Sequence, residues 1–584
     1  SELPRTLLHD AGGPFLGVVL VTLAPWLVWR WQGRVAPVVG AASGWRAHVS
    51  ALRWLALAAT LSWIWVRVIW PGEAREWKLL PPLALMRSEL LGSDRPPQPE
   101  AVAQQAAAAL RQAWQRGHRG DPALFAVPDA PLVHLTPHRA CAAAAARLIP
   151  LPAGLDCQQD GDRDGVPLAR DCDDRRADVH PAAVDTPADG VDQDCSGTDA
   201  EPWNVLVLVL ESHRALSVGH VTGGASWTPQ LDALAARGLA HRRTVANGLP
   251  TIASFMALHT GMLPCAGCVV ATDFAATRLP SLPSTLRQHG YYTRFFSAAD
   301  PAWDNQRAWL RHWYDDIDYD RSREEDAPMF EHMAAWLRDQ MPAATAGRPF
   351  FVLAMTRSNH FPFERVAGVP RTGDDSWPAR MRDTMGYTDA AMGRLLATVA
   401  AQPWARRTLI VVTGDHGFPL GEHGHRHLFQ TIRAEATAVP LVWAGDHPEL
   451  LPLHGRLSDA PSSHVDVAPT VLDLLGIDPS GPWQGRSLVG DGEGQSWTIR
   501  DSQWATEWGD RRLLVDGNRP QDRDSWQVFD RKRDLREDHP LPAGVNETAR
   551  AAELAAVAGW LYDLYRGDRI LPPWLEVAIR PASR

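Results

Sequence analysis

Residues 204–211 read Asn-Val-Leu-Val-Leu-Val-Leu-Glu, six apolar residues closed by a carboxylate. So short an apolar run, half of it β-branched Val, reads as a strand. Working outward, amphipathic helices are expected near 228–238 and from Thr251, then strands at 291–297 (YYTRFFS) and 349–355 (PFFVLAM). A helix near 379–400, strands at 407–415 (RTLIVVTGD) and 439–445 (VPLVWAG), and the segment 464–476 (HVDVAPTVLDLLG) continue the pattern. This alternation predicts an α/β fold, a central, mostly parallel sheet sandwiched by helices, over 202–494. Sheets of this kind place their ligands at the carboxyl ends of strands. Beyond about residue 495 the chain turns Trp- and charge-rich with short strands and a last helix near 547–566. That predicts a small C-terminal β-rich subdomain over 495–584.

The 584 residues hold 58 Lys+Arg against 68 Asp+Glu, a net charge of −10. Residues 156–201 alone hold 14 acids and 4 Arg, so this segment carries the whole excess and the remainder is balanced. That distribution excludes a basic nucleic-acid binder and an acidic disordered chain. With 45% hydrophobic and 22% charged residues, the chain can bury sizeable cores, and its length predicts two or more domains. Six Cys are too few for a disulfide scaffold, whereas 26 Trp suit a membrane interface or a ligand-facing surface.

Residues 11–29 (AGGPFLGVVLVTLAPWLVW) carry no charge and are about long enough to span a bilayer as a helix. A second, weaker run at 54–72 is interrupted by Arg67 and ends at Pro71-Gly72. The loop between them carries Arg30, Arg34, Arg46 and Arg53 and no acid, which by the positive-inside rule makes it cytoplasmic. Everything after Trp70 is then extracytoplasmic, where disulfides are permitted. Trp54, Trp63, Trp65 and Trp70 suit membrane ends. The competing reading, a signal peptide followed by a buried helix, lacks a clear cleavage site. The chain opens at Ser1 rather than Met, which leaves room for further spans upstream. Residues 1–72 are thus expected to be N-terminal transmembrane helices of a multi-pass inner-membrane protein. Residues 73–155, Ala-, Pro- and Arg-rich with a helical run at 99–117, read as a linker with some packed helix.

In the acidic segment, Asp160-Gly-Asp162-Arg-Asp164-Gly165 sets carboxylates at loop positions 1, 3 and 5 and Gly at 6, with Asp171 at 12. This is the spacing of a calcium loop: alternate carboxylates converge on one hard cation and Gly permits the tight turn. Asp in place of a bidentate Glu at position 12 predicts weaker binding. Asp171-Cys172-Asp173-Asp174 and a second cluster, Asp189-Gly-Val-Asp192-Gln-Asp194-Cys195, lie on either side of His180-Pro181. Together these residues resemble the aspartate-rich metal-binding motif of bacterial surface proteins, although Thr186 and Pro187 stand where that motif has a Cys. The resemblance implies calcium held by Asp160, Asp162, Asp164, Asp171, Asp173, Asp192 and Asp194, in a structural role. The plainer alternative is a solvated acidic linker, in which so many acids would repel each other without cations. Cys172 and Cys195 sit within the motif and are expected to pair; Cys141 and Cys157 flank its start and form a second expected pair. Cys265-Ala-Gly-Cys268 would suggest redox or zinc chemistry in the cytosol, but outside the membrane it reads as a local disulfide.

Four features fall at strand ends or helix starts. Glu211 ends the first strand, where a buried carboxylate calls for a cation. Thr251 follows Gly248-Leu-Pro and opens a helix, whose dipole stabilises an alkoxide and a bound anion. Asp415-His416-Gly417 follows one strand and Ser358-Asn359-His360-Phe361-Pro362-Phe363 another. Carboxylates, a hydroxyl and an imidazole form a mixed O/N set that suits one divalent Mn, Mg or Zn ion. Such an ion lowers the pKa of a bound hydroxyl and neutralises charge on a phosphoryl group.

Over about 203–540 these residues resemble the alkaline phosphatase/sulfatase superfamily, and within it the lipoteichoic-acid synthase type, itself membrane-anchored with an extracellular catalytic domain. The resemblance implies that Glu211, Thr251, Asp415 and His416 bind the catalytic metal and that Thr251 is also the nucleophile. It implies a substrate-side role for His360, and phosphate contacts for Trp309 and Arg311 in the stretch 304–311. Among His423, His425 and His427, it points to His427 as a substrate-binding residue, with a plain surface loop as the alternative. Sulfatases proper need a Cys or Ser in a CxPxR setting, which Thr251-Ile-Ala-Ser cannot provide, so phosphoryl transfer is favoured over sulfate ester hydrolysis. The expectation is a metal-dependent phosphotransferase acting on phospholipid head groups or envelope glycopolymers through a phosphothreonine. The alternatives are a phosphatase or phosphodiesterase, and a catalytically inactive calcium-binding surface protein. No nucleic-acid partner is expected, and the sequence sets no oligomeric state.

Overall fold

The run at 204–210 is a strand buried at every residue, β1 (Asn204–Leu210), in a computed structural model that describes residues 141, 156–181, 183, 190–195, 199, 202–275, 279–477, 483–490 and 494–566. Eight further strands complete its sheet: β2 (Leu239–Val245), β3 (Tyr292–Ser297), β4 (Asp316–Asp318), β5 (Phe350–Met355), β6 (Thr408–Gly414), β7 (Ala438–Ala444), β8 (Leu457–Ser458) and β9 (Ser462–Ser463). They lie in the order β4-β3-β5-β1-β6-β7-β2-β8, with β9 also on β2. β1 runs parallel to both β5 and β6, and β7 alone is reversed, pairing antiparallel with β6 and β2. The mostly parallel sheet is as expected from the sequence.

A central parallel strand must be apolar on both faces because helices cover both. Val205, Val207 and Val209 enter one core, Leu206, Leu208 and Leu210 the other. The covering helices are α1 (Pro229–Ala235), α2 (Thr251–Thr260), α3 (Leu282–Gln288), α4 (Gln306–Trp313), α5 (Asp326–Ala335), α6 (Trp377–Ala400), α7 (Ala434–Thr437), α8 (Val467–Leu474) and α9 (Val545–Arg566). Phe255, Leu286, Leu310, Val471 and Leu554 put α2, α3, α4, α8 and α9 against the Val face. Leu231, Phe330 and Leu395 put α1, α5 and α6 against the Leu face.

A second, antiparallel sheet follows: β10 (Gln495–Arg500), β11 (Gln503–Trp508), β12 (Arg511–Asp516) and β13 (Gln527–Asp530), in sequence order. Its Trp497, Leu513 and Val528 join the core on the Val face of the large sheet. The three expected disulfides, Cys141–Cys157, Cys172–Cys195 and Cys265–Cys268, are all present. The expected membrane spans at 11–29 and 54–72 and the helix at 99–117 lie outside the described residues. Among the described residues no helix is long and apolar enough to cross a membrane.

Candidate active site

Parallel pairing of β1 with β6 sets Leu210 against Gly414, so the next residues, Glu211 and Asp415, emerge side by side at the carboxyl edge of the sheet. Both are buried. The backbone N–H of Ser212 donates to Asp415 Oδ1 at 2.7 Å, and the Ser212 hydroxyl donates to Glu211 Oε1 at 2.8 Å. Thr356, just past β5, accepts the Glu211 backbone N–H at 2.8 Å. Three strand ends thus fix the carboxylates.

Thr251 is the first residue of α2, whose start has no side-chain cap, leaving helix-end N–H donors for an anion. Its hydroxyl lies 3.4 Å from Glu211 Oε2 and 3.2 Å from His416 Nε2. His416 Nδ1 lies 2.8 Å from the Gly417 carbonyl, and an N–H donated there leaves the Nε2 lone pair facing Thr251. Gly417 itself is needed for close approach, because a Cβ there would meet the Glu435 carbonyl of α7 at 2.5 Å.

Two buried carboxylates with only an imidazole between them form an unbalanced set. Burial first, and then the Asp415 charge, push the Glu211 carboxyl well above its usual range. Asp415 Oδ2 is buried without a hydrogen-bond partner. Ligand atoms of Glu211, Asp415 and His416 all lie within 4.8 Å of one another. An orphaned carboxylate oxygen, a second carboxylate and a tautomer-fixed imidazole fit a divalent cation of the Mn, Mg or Zn kind.

The loop after β5 carries His360, which is exposed, with Nδ1 2.7 Å from the Phe361 carbonyl. Its neighbour Asn359 is fully buried and donates through Nδ2 to the carbonyls of Glu211 and Ser212 at 3.1 and 3.2 Å. Asn359 therefore ties the His360 loop to the strand end that carries Glu211. His427 packs with Phe361 and Phe418, ring centroids 5.8 and 6.2 Å apart, between the loops after β5 and β6. His423 and His425 turn elsewhere, onto Glu435.

Trp309 requires a correction. It lies on α4 with Arg311, two residues on and so about 160° around the helix. Trp309 is 4% exposed and its indole N–H donates to the Ala271 carbonyl, a core role, while Arg311 lies on the exposed side. The stretch 304–311 begins in the turn just before α4, to whose residues the sequence pattern assigns no role. Trp303 there is 71% exposed, Asp304 and Asn305 take φ of 49° and 59°, and desolvation raises the Asp304 carboxyl above its usual range, His360 nearby opposing it. The turn-forming run Pro301-Ala-Trp-Asp-Asn305 was the available signal.

In the acidic segment, Asp160, Asp162 and Asp164 bring ligand oxygens within 4.8 Å of one another. Asp171 is fully buried with Oδ2 unpartnered, and burial, with Asp164, Asp162 and Asp174 close by, pushes it up to about 6. A cation is the natural relief for four converging acids. Asp174, absent from the expected ligands, packs against the same loop: its Oδ1 accepts the Gly161 N–H at 2.8 Å. Asp173 accompanies Asp171 only through its backbone N–H, at 2.8 Å; Asp194 is buried and Asp192 half-buried.

The profile of the family described as "Sulfatase" matches residues 203–477, and that of a metal-binding motif matches 171–201. Lipoteichoic acid synthase 2 of Bacillus subtilis is 24% identical over 303 residues, 48% of this chain and 46% of that protein. A sulfatase of Formosa agariphila is 32% identical over 137 residues, 23% of this chain and 26% of that one. The chain thus spans less than half the length of these curated relatives. Among solved structures, an alkaline phosphatase superfamily protein from Vibrio parahaemolyticus superposes with a TM-score of 0.54 at 20% identity, covering 63% of this chain and 88% of that one. The lipoteichoic acid synthase LtaP of Listeria monocytogenes gives 0.52 at 15%, covering 63% and 93%. Residues 203–477 therefore form a domain of the alkaline phosphatase/sulfatase superfamily, similar to its lipoteichoic acid synthases.

Proposed function

We propose that the protein is a membrane-anchored, metal-dependent phosphotransferase that works outside the cytoplasmic membrane on phospholipid head groups or envelope glycopolymers. The observation that carries this reading is that Glu211 and His416 meet at the Thr251 hydroxyl while Asp415, grouped with both, keeps a buried Oδ2 without a hydrogen bond, 3.4 Å from His416 Nε2. Glu211, Thr251, Asp415 and His416 would hold the metal, which supplies a lowered pKa for the Thr251 hydroxyl and countercharge for the phosphoryl oxygens. The ionised Thr251 Oγ forms a bond to phosphorus as the bond to the leaving alcohol oxygen breaks, and His360 gives that oxygen a proton. An acceptor hydroxyl or water then bonds to phosphorus, returns a proton to His360 and releases Thr251. The α2 N-terminus binds the anion throughout. Three disulfides support an oxidising compartment, in keeping with spans at 11–29 and 54–72. The similarity to proteins named sulfatases favours, as a second reading, ester hydrolysis on the same groups with water as acceptor.

The test is to offer phosphatidylglycerol, phosphatidylethanolamine and simple phosphate and sulfate esters to the full chain with Mn²⁺ or Zn²⁺, with mass spectrometry of the trapped enzyme. A phosphoryl adduct on Thr251, and at least about 10³-fold loss of turnover in Thr251→Ala, is expected. An active Thr251→Ala enzyme would sink the nucleophile, and turnover of sulfate esters alone would sink phosphoryl transfer.

A further inference from the structure

The loop after β6 brings a second set of ligand-type side chains together, outside the Glu211–Asp415–His416 group. His423 and His425 place Nδ1 at 3.1 and 3.0 Å from one oxygen, Oε1 of Glu435 on α7. Glu435 is fully buried, and its other oxygen, Oε2, has no hydrogen-bond partner. The loop is sharply bent here: Gly421, His423 and Gly424 take φ of 118°, 52° and 79°. On its far side, His423 Nε2 lies 3.2 Å from Asp538 Oδ1.

We propose that His423, His425 and Glu435 form a second metal site, for a zinc-type transition ion, that clips the loop after β6 to α7. Ligands of a tetrahedral ion bound at about 2.0–2.1 Å stand about 3.3 Å apart, close to the spacings found. Asp538 takes the Nε2–H of His423 and so turns the Nδ1 lone pair toward the ion, the carboxylate–histidine–metal arrangement of bound zinc. Two imidazoles and one carboxylate select zinc or its neighbours over calcium or magnesium, which separates this site from the all-carboxylate loop at 160–171. Bound through Nδ1, each neutral imidazole carries its one ring proton on Nε2. The histidine side chains are 18% and 26% exposed, so an ion can enter and a water can complete the shell. Phe418 and His427 ride on the same loop, so a fixed clip holds that wall of the candidate active site in place.

The test uses the full chain in excess calcium with the Asp415→Asn/His416→Ala pair of changes, so that the outcome does not depend on the catalytic reading. Stripped of metal, this background is titrated with Zn²⁺ by calorimetry and with Co²⁺ by visible absorption, with and without His425→Ala. One zinc equivalent is expected in the background, with binding at least about tenfold weaker, and the Co²⁺ bands lost, once His425 is removed. His425 is partly exposed, so its removal leaves the fold intact, and the circular dichroism melt of each variant verifies this. Glu435→Gln should weaken zinc in the same way. Equal zinc stoichiometry and affinity with and without His425 would overturn the proposal, as would no zinc binding in the background.

Discussion

Asn359, next to His360 in the chain, decides where that residue stands. Its amide donates to two carbonyls of the Glu211 turn and its Oδ1 accepts the Thr384 hydroxyl of α6. Asn359→Ala takes its donor away from the Ser212 carbonyl and leaves the Glu211 carbonyl with His213 Nδ1 alone, at 3.0 Å, which costs about 1–3 kcal/mol, and frees the His360 loop. Lower stability in urea together with reduced kcat, at unchanged divalent-metal affinity, is the expected result; full kcat would remove Asn359 from the positioning of His360. His241 on β2 is a different kind of residue: 1% exposed, with neither ring nitrogen hydrogen-bonded. Burial first, then the charges of Arg486 and Arg456, lower it from 6.5 to about 3. The fold therefore accepts only the neutral ring, so its contribution is intact above pH 6.5 and is lost as pH falls from there toward 3. His241→Leu removes that dependence. Its stability relative to the parent should rise by about 3 kcal/mol between pH 7.5 and 4.5 in denaturant titrations. A pH-independent difference would show that the ring ionises freely in the fold.

β2 is the longest strand of the large sheet that the sequence pattern does not reveal. Its sequence Leu-Ala-His-Arg-Arg-Thr-Val looks like surface, yet six of its seven residues are buried. Arg243 explains the discrepancy: its Nε lies 2.8 Å from Glu507 of β11, and Glu507 also faces Arg512 and Arg531 at 3.5 and 3.6 Å. Burial alone would raise Glu507, but Arg531, Arg243 and Arg512 together hold it below its usual value. This network joins the small sheet to the edge of the large one. Glu507→Gln leaves Arg512 and Arg531 with Glu537 and Arg243 with the half-exposed Asp510, and should cost about 3–5 kcal/mol in urea denaturation. A loss under about 1 kcal/mol would mean that the apolar contacts of Trp497 and Leu513 suffice to dock the small sheet. The contrast defines what sequence could reveal. β1, β5, β6 and β7 are self-evident because each is apolar on its own account. Glu211, Thr251, Asp415 and His416 stand out because a strand end or a helix start marks each one locally. Asp304, Asn359, Asp174 and Glu435 acquire meaning only from partners far along the chain or across a turn, and Trp309 misled because spacing along α4 was read without its rotation.

Across the whole molecule, charge is partitioned. The excess of −10 sits in residues 156–201, and the functional charges elsewhere are single residues at strand ends. The acidic segment has almost no apolar core of its own; Leu168, Val179 and Ala183 are its buried aliphatic residues among those described. Two disulfides, Cys141–Cys157 and Cys172–Cys195, brace it, and they close loops without neutralising the acids. Its fold should then depend on calcium at Asp160, Asp162, Asp164 and Asp171, whereas the sheet domain, with two large cores, should not. Limited proteolysis of the full chain separates these contributions. In calcium the segment should resist cleavage; with a chelator it should be cut within 156–201 while the 203–477 domain survives. Cuts between Cys172 and Cys195 leave the pieces joined until a reductant is added, so reducing and non-reducing gels locate the site. Asp162→Asn should be cut even in calcium. An identical cleavage pattern with and without calcium would make the segment a solvated acidic linker, held by its disulfides alone.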